Sequence, residues 1–305
     1  MAKPVIPNKR TAFESVRTLI GNENQVIREL GLPYTVKPNT TLNQLLGINQ
    51  SMHPPHTTIP TIGYFCIGYG GISLQNCTND SDAFPMPKIF QHTAEDTGLF
   101  KPVPFVMREF NNDLTAQERT KYALRVVETY KGVKYYSYYL KRLDLSKTRV
   151  ETKIITVADD GSLSEEDYSP TTTNLNPIAQ ELSAERENIL KAKYGRSIAQ
   201  VNVNISREDV EELKNVFNIR HGDPNRALIT EIGLVSGVDK LVEVTTSSGR
   251  SQFQEVIAAQ IAHINATIQY LAAVNDGFDS IFNLGVNEPL YNLQQGEVSL
   301  QNLGH

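Results

Sequence analysis

The stretch Phe253–Leu271, FQEVIAAQIAHINATIQYL, decides which class of fold the chain is read into. Its apolar residues Phe253, Val256, Ile257, Ile261, Ile264, Ile268 and Leu271 recur mostly at steps of three and four, the spacing that keeps side chains on one face of a helix. The run starts after Ser247-Ser248-Gly249 and ends by Gly277, so the pattern predicts an amphipathic helix of about 24 residues. The other face would be Gln, His, Asn and Ala with few charges, a surface suited to meeting another protein.

Upstream, the pattern is that of strands. Tyr122–Leu145, YALRVVETYKGVKYYSYYLKRLDL, sets two β-branched and aromatic runs around Tyr130-Lys131-Gly132 and predicts a hairpin, with tyrosines on both faces so that one is covered and the other partly exposed. Arg149–Val157 adds a third strand closed by Asp159-Asp160-Gly161, and strands joined by tight turns make an antiparallel sheet. Further strands are predicted over Ile59–Leu74, over Pro102–Glu109 with two prolines suited to an edge, and over Ser197–Ile205, Ala227–Val235 and Leu241–Thr245. Thr115-x-x-Glu118 and Ser206-Arg-Glu-Asp209 are N-terminal caps, the second opening a helix through Val210, Leu213 and Phe217 to Gly222. Ser164–Pro177 reads as an acidic loop and Ile178–Lys193 as a helix. The first sixty residues read as short helices followed by an extended segment laid across another surface. A helix broken near Gly21 would carry Phe13, Leu19 and Leu30, and Leu42, Leu45 and Leu46 form a small cluster. The expected fold is thus α+β: an arm over 1–60, a core with an antiparallel sheet and a long amphipathic C-terminal helix over 61–275, and an extended tail over 276–305.

The chain has 305 residues, 40% of them hydrophobic and 21% charged, with no Trp and a net charge of −5. No dense Lys/Arg block is present, so nucleic acid is not expected as the main partner. MAKPVIPNKRTAFESV has no apolar core segment, and no run of about 18 apolar residues occurs, so neither a signal peptide nor a membrane helix is expected.

Thr61–Cys77, TIGYFCIGYGGISLQNC, invites chemistry, and each template fails at a named position. Gly63-x-x-x-x-Gly68 has a phosphate-loop start, but Tyr69 and Gly70 stand where Lys and Ser/Thr belong. Gly68-Tyr-Gly70-Gly71-Ile-Ser73 lacks the last glycine of the dinucleotide fingerprint. His53, His56, Cys66 and Cys77 could gather a metal, yet Pro54-Pro55 forces an extended backbone and the intervals match no zinc module. Cys66 as a nucleophile would need a base such as His92, His221 or His263, and no local signature pairs them. No catalytic, cofactor or metal site is therefore assigned. The glycines are read as allowing a bulge or a close backbone approach in a buried strand with Cys66 inside.

Tyr130–Ser146, YKGVKYYSYYLKRLDLS, and Asn225–Lys240, NRALITEIGLVSGVDK, resemble segments of virion structural proteins of tailed bacteriophages, Glu231-Ile232-Gly233-Leu234 being similar to a strand of their tail and baseplate components. The resemblance implies a non-enzymatic component of a ring in the neck, tail or baseplate. It would partner copies of itself and other virion proteins, be assembled in the host cytoplasm and reside in the virion. Contacts are then expected from Phe13, Leu19, Leu45, Tyr135, Tyr136, Tyr138, Tyr139, Ile261, Ile264, Ile268, Phe282, Leu290 and Tyr291. The alternatives are a protein that decorates or cements the capsid, and a cytoplasmic enzyme using Cys66.

Overall fold

The computed structural model describes residues 15–17, 21, 24–25, 27–28, 33–75, 86–158, 160–169, 193–246, 249–272 and 276–289. In chain order these form β1 (Ser15–Arg17), α1 (Leu42–Leu45), β2 (Thr61–Gly68), β3 (Ile72–Gln75), β4 (Met86–Ile89), β5 (Pro102–Val103) and β6 (Val106–Glu109). Then come α2 (Ala116–Arg119), β7 (Tyr122–Tyr130), β8 (Val133–Arg142), β9 (Val150–Val157), β10 (Leu163–Asp167) and β11 (Lys193–Ile205). The last elements are α3 (Arg207–His221), a 3-10 turn (Pro224–Arg226), β12 (Leu228–Thr246), β13 (Gly249–Tyr270) and β14 (Phe278–Pro289). The chain divides into two units, residues 1–144 with 203–280 and residues 145–202 with 281–305.

The first unit is built on an eight-stranded sheet in the order β1-β13-β12-β2-β8-β6, with β5 on β2 and β7 on β8. The predicted hairpin is β7–β8, and its turn residues Lys131 and Gly132 have φ of 49° and 82°, as a two-residue turn between right-twisted strands requires. Thr115 and Ser206 both close reciprocal capping boxes, with Glu118 and Asp209. α3 ends at Gly222 in the left-handed region, φ 75°, and buries Val210, Leu213, Val216 and Phe217. The predicted strands 227–235 and 241–245 are one strand, β12, and the predicted edge strand 102–109 is two short ones, β5 and β6.

The long C-terminal helix does not form. Residues 249–270 are instead the strand β13, paired with β12 from Thr246↔Gly249 to Leu228↔Tyr270, and the longest helix among the described residues is α3, in mid-chain. The helical spacing has a different physical source. Three register shifts, at Ile229/Glu231, Leu234/Val235 and Ser236/Val238, each set one extra residue of β13 against β12. Opposed residues share a face of the sheet, so Val238↔Ile257, Ser236↔Gln260 and Leu234↔His263 put Ile257, Gln260 and His263 on one face. Across a bulge the two-residue step of a strand becomes three, which imitates the i, i+3 step of a helix. Moreover, residues 255–267 are buried without a break, so no alternation of exposed and buried positions survives to reveal the strand.

Part of the N-terminal arm lies over this ribbon. Ser15–Arg17, expected as helix, pairs with Asn265–His263 of β13, while residues 21, 24, 25, 27 and 28 are helical. Asn43, in α1, donates to Val256 O (3.0 Å) and accepts from Ala259 N (3.0 Å), occupying backbone groups on either side of Ala258, whose φ is 53°. Gln260 donates to Thr40 Oγ1 (2.9 Å) and accepts from Asn24 (3.3 Å) and from the Tyr34 hydroxyl. Each buried polar group named here therefore has its partner from the arm.

The second unit carries most of a four-stranded sheet in the order β10-β9-β11-β14, the last residues of β11 and the first of β14 being counted in the first unit. Leu163–Asp167, expected from Ser164 onward in a loop, is its edge strand β10, and Phe278–Pro289 of the expected tail is β14. The predicted helix over 178–193 falls on residues outside the described ones, except Lys193, which begins β11.

Candidate functional site

The glycine-rich segment ends at a buried carboxylate. Glu231, the first residue of the EIGL motif on β12, is 1% exposed, and its Oε2 accepts from Gly70 N (2.9 Å) and Lys101 N (3.3 Å). Its Oε1 accepts from Phe100 N (2.8 Å) and meets His92 Nε2 at 2.8 Å. His92 Nδ1 contacts Asp96 Oδ2 at 2.7 Å, and the imidazole stacks on Phe100 with ring centroids 4.3 Å apart. The glycines make room for this. A Cβ on Gly68 would stand 2.9 Å from Lys101 O, and one on Gly70 would stand 2.5 Å from Phe100 Cβ and 2.7 Å from Lys101 N. Backbone N–H groups converge here as they do around a bound phosphate, but the anion they hold is the chain's own.

Burial alone would raise the Glu231 pKa, but His92 and the backbone N–H groups of Phe100, Gly70 and Lys101 outweigh it and hold the carboxylate below its usual range. For His92, burial alone would lower the pKa, and its bonds to Glu231 and Asp96 reverse that and raise it. The constellation is a closed, charged clamp joining the 92–101 segment to β12, with both imidazole nitrogens already engaged.

Cys66 packs inside the core, 3% exposed, with Sγ donating to Gly233 O at 3.7 Å. Burial pushes its thiol pKa up, followed by the charge of Glu231. It therefore stays protonated near neutral pH, and the two nitrogens of His92 are turned to carboxylates instead. His53 and His56 are exposed while Cys66 is buried, so these three do not converge on a metal. Cys77 lies outside the described residues.

The tyrosine ribbon is covered on both faces, not one. Tyr138 donates to Asp113 Oδ1 (2.6 Å), whose other oxygen accepts from Arg119 (3.2 Å) and Arg125 (2.9 Å). Arg125 lies 4.3 Å over the Tyr136 ring. Tyr139 bonds Glu128 and accepts from Arg220 (2.6 Å). Tyr136, Tyr138, Tyr139, Ile261, Ile264 and Phe282 are thus buried in the single chain, and Tyr135 and Ile268 are half-buried. Of the expected contact residues, Leu45 stands open, 59% exposed; Phe13, Leu19, Leu290 and Tyr291 lie outside the described residues.

Exposed apolar side chains occur in both units, Leu45, Val127 and Leu241 among them in the first, and in the second they lie on a sheet with an exposed strand. Every residue of β10 is exposed, and so are Val150, Ile281 and Val286 on β9 and β14. Lys153 and Arg196 both engage Glu165. The family model of the Family of unknown function (DUF7208) matches residues 2–298. The chain belongs to that family. No curated protein and no solved structure matches it. The match spans both units, so the closed clamp and the open sheet belong to one family unit of sequence. Among the described residues no helix is long and apolar enough to cross a membrane.

Proposed function

We propose that this protein is a non-enzymatic structural component of a tailed-phage virion that assembles with copies of itself into a ring of the neck, tail or baseplate. The observation that carries the reading is the four-stranded sheet of the second unit, which leaves Val150, Leu163, Ile281 and Val286 at 68%, 58%, 52% and 41% exposure. Such a sheet gains from a protein partner, because exposed apolar side chains and an open strand edge are what association covers. The inward-turned chemistry supports the same reading: the Glu231–His92 clamp is spent on its own chain, and Cys66 is a core thiol.

Sedimentation velocity of the purified chain, together with mass spectrometry of particles produced in its native host cell, tests this. Species larger than a monomer and recovery of the chain in particles are expected. A strict monomer absent from particles overturns the reading. Cys66→Ala is expected to leave both outcomes unchanged.

A further inference from the structure

Four pieces of the first unit bring cations to the C-terminal end of α3. Lys101 precedes β5 and lies over Tyr69, whose ring centroid is 5.5 Å from that of His221; Lys131 sits in the β7–β8 turn over Tyr130, whose hydroxyl donates to Arg220 O; Arg220 is in the last turn of α3 and Arg226 in the 3-10 turn. Partial burial and then the charges of Arg226, Arg220, Lys101 and Lys131 depress the pKa of His221 among them. Arg220 is tied to Glu128 at 3.0 Å. Lys101 and Lys131 instead rest on aromatic faces, with Nζ 5.7 Å from the Tyr69 centroid and 5.4 Å from the Tyr130 centroid. Lys101, Lys131 and Arg226 are exposed and have no acidic partner among the described residues. The helix dipole accounts for Arg220 and His221 at a C-terminus. It does not account for three more cations arriving from other elements.

The second unit carries the complementary charge. Among the described residues β10 pairs on one side only, with β9. Glu166 and Asp167 are exposed and form no ion pair within 4 Å among the described residues, although Asp167 stands opposite Lys153 across the ladder, and Leu163 and Tyr168 flank them at 58% and 44% exposure. Two β10 edges would set like charges against each other, so a symmetric β10–β10 contact is disfavoured and a cationic surface suits the strand.

We propose that β10 of one copy docks on the Lys101–Lys131–Arg226 surface of a second copy, a head-to-tail contact of the kind that closes rings. The proposal rests on the assembly reading above and names the surfaces that make the contact. With a net charge of −5 and no dense Lys/Arg segment, the chain favours its own acidic strand over nucleic acid as the occupant.

The test uses two full-length variants, K101E/K131E/R226E and E166K/D167K, at a concentration where the wild type associates. Each alone is expected to self-associate at least about tenfold more weakly in sedimentation velocity. An equimolar mixture should recover association, because each variant's reversed surface complements the other's. Circular dichroism melts matching the wild type establish that these exposed changes leave the fold intact. Variants that associate like the wild type, or a mixture that does not recover, overturn the contact while leaving the assembly reading standing. So does loss of association on reversal of the cationic surface alone. A labelled oligonucleotide bound by the wild type and released by K101E/K131E/R226E, with association unchanged, gives the surface to nucleic acid. A wild type that stays monomeric at every concentration overturns the contact and the assembly reading together.

Discussion

β13 and β10 are both antiparallel strands, and they occupy opposite extremes. β13 is buried from residue 255 to 267 and has Glu255 and Gln260 met by side chains of the N-terminal arm, whereas β10 is exposed at each of its five residues. The same backbone geometry therefore serves two purposes. In the first unit the strands and the groups around them are matched within the chain, including a buried carboxylate, a buried histidine and the backbone around a bulge. In the second unit β10 and the side chains of Val150, Ile281 and Val286 are exposed in the single chain.

The contrast is broken most severely at Glu231. Glu231→Ala leaves His92 and the N–H groups of Gly70, Phe100 and Lys101 without their acceptor in a buried setting, and a loss of about 3–5 kcal/mol is expected in urea unfolding. A loss below about 1 kcal/mol would mean that the clamp is not a unit. Ile261→Ala, in the core that Cys66 and Tyr64 share, should cost about 2–5 kcal/mol. Asn43→Ala should cost about 1–3 kcal/mol and speed exchange of the Ala259 amide, since the group that accepts from it is removed; unchanged exchange would refute the role of Asn43 at the bulge.

A pH series sharpens the same point. The raised His92 pKa contributes stability that is in place below the ordinary histidine value of 6.5 and is lost as pH rises through the folded value. The depressed Glu231 pKa contributes stability that is in place above the usual carboxylate range and is lost as pH falls through its folded value. The clamp is therefore strongest in mildly acidic solution. The decline in melting temperature on the alkaline side should flatten in His92→Gln, and parallel curves for the two proteins would rule the linkage out. The smallest effect belongs to β10: Leu163→Ser should change the stability of the isolated chain by no more than about 0.5 kcal/mol.

Much of the fold was legible where the signal is local. The β7–β8 hairpin rests on Lys131-Gly132 and on runs that flank it directly, and the caps at Thr115 and Ser206 rest on partners three residues away. The clamp was not legible as a site. His92 and Glu231 are 139 residues apart, and Glu231 drew notice only as part of a resembling motif. The glycines at 68 and 70 were the available signal, since a close backbone approach was the reading they supported; the approaching group could not be named from spacing. The open β10 edge was hidden for the opposite reason, because Glu165-Glu166-Asp167 in a strand has the composition of a solvated loop.

By itself, the sequence determined turns, caps and an antiparallel habit, because these depend on φ preferences and hydrogen bonds within a few residues. Only the tertiary structure decided that Phe253–Leu271 is a strand. Its three bulges turn steps of two into steps of three, and its burial on both faces erases the alternation that would have distinguished a strand from a helix. Which elements meet across the chain settles both properties, and no local pattern carries that information.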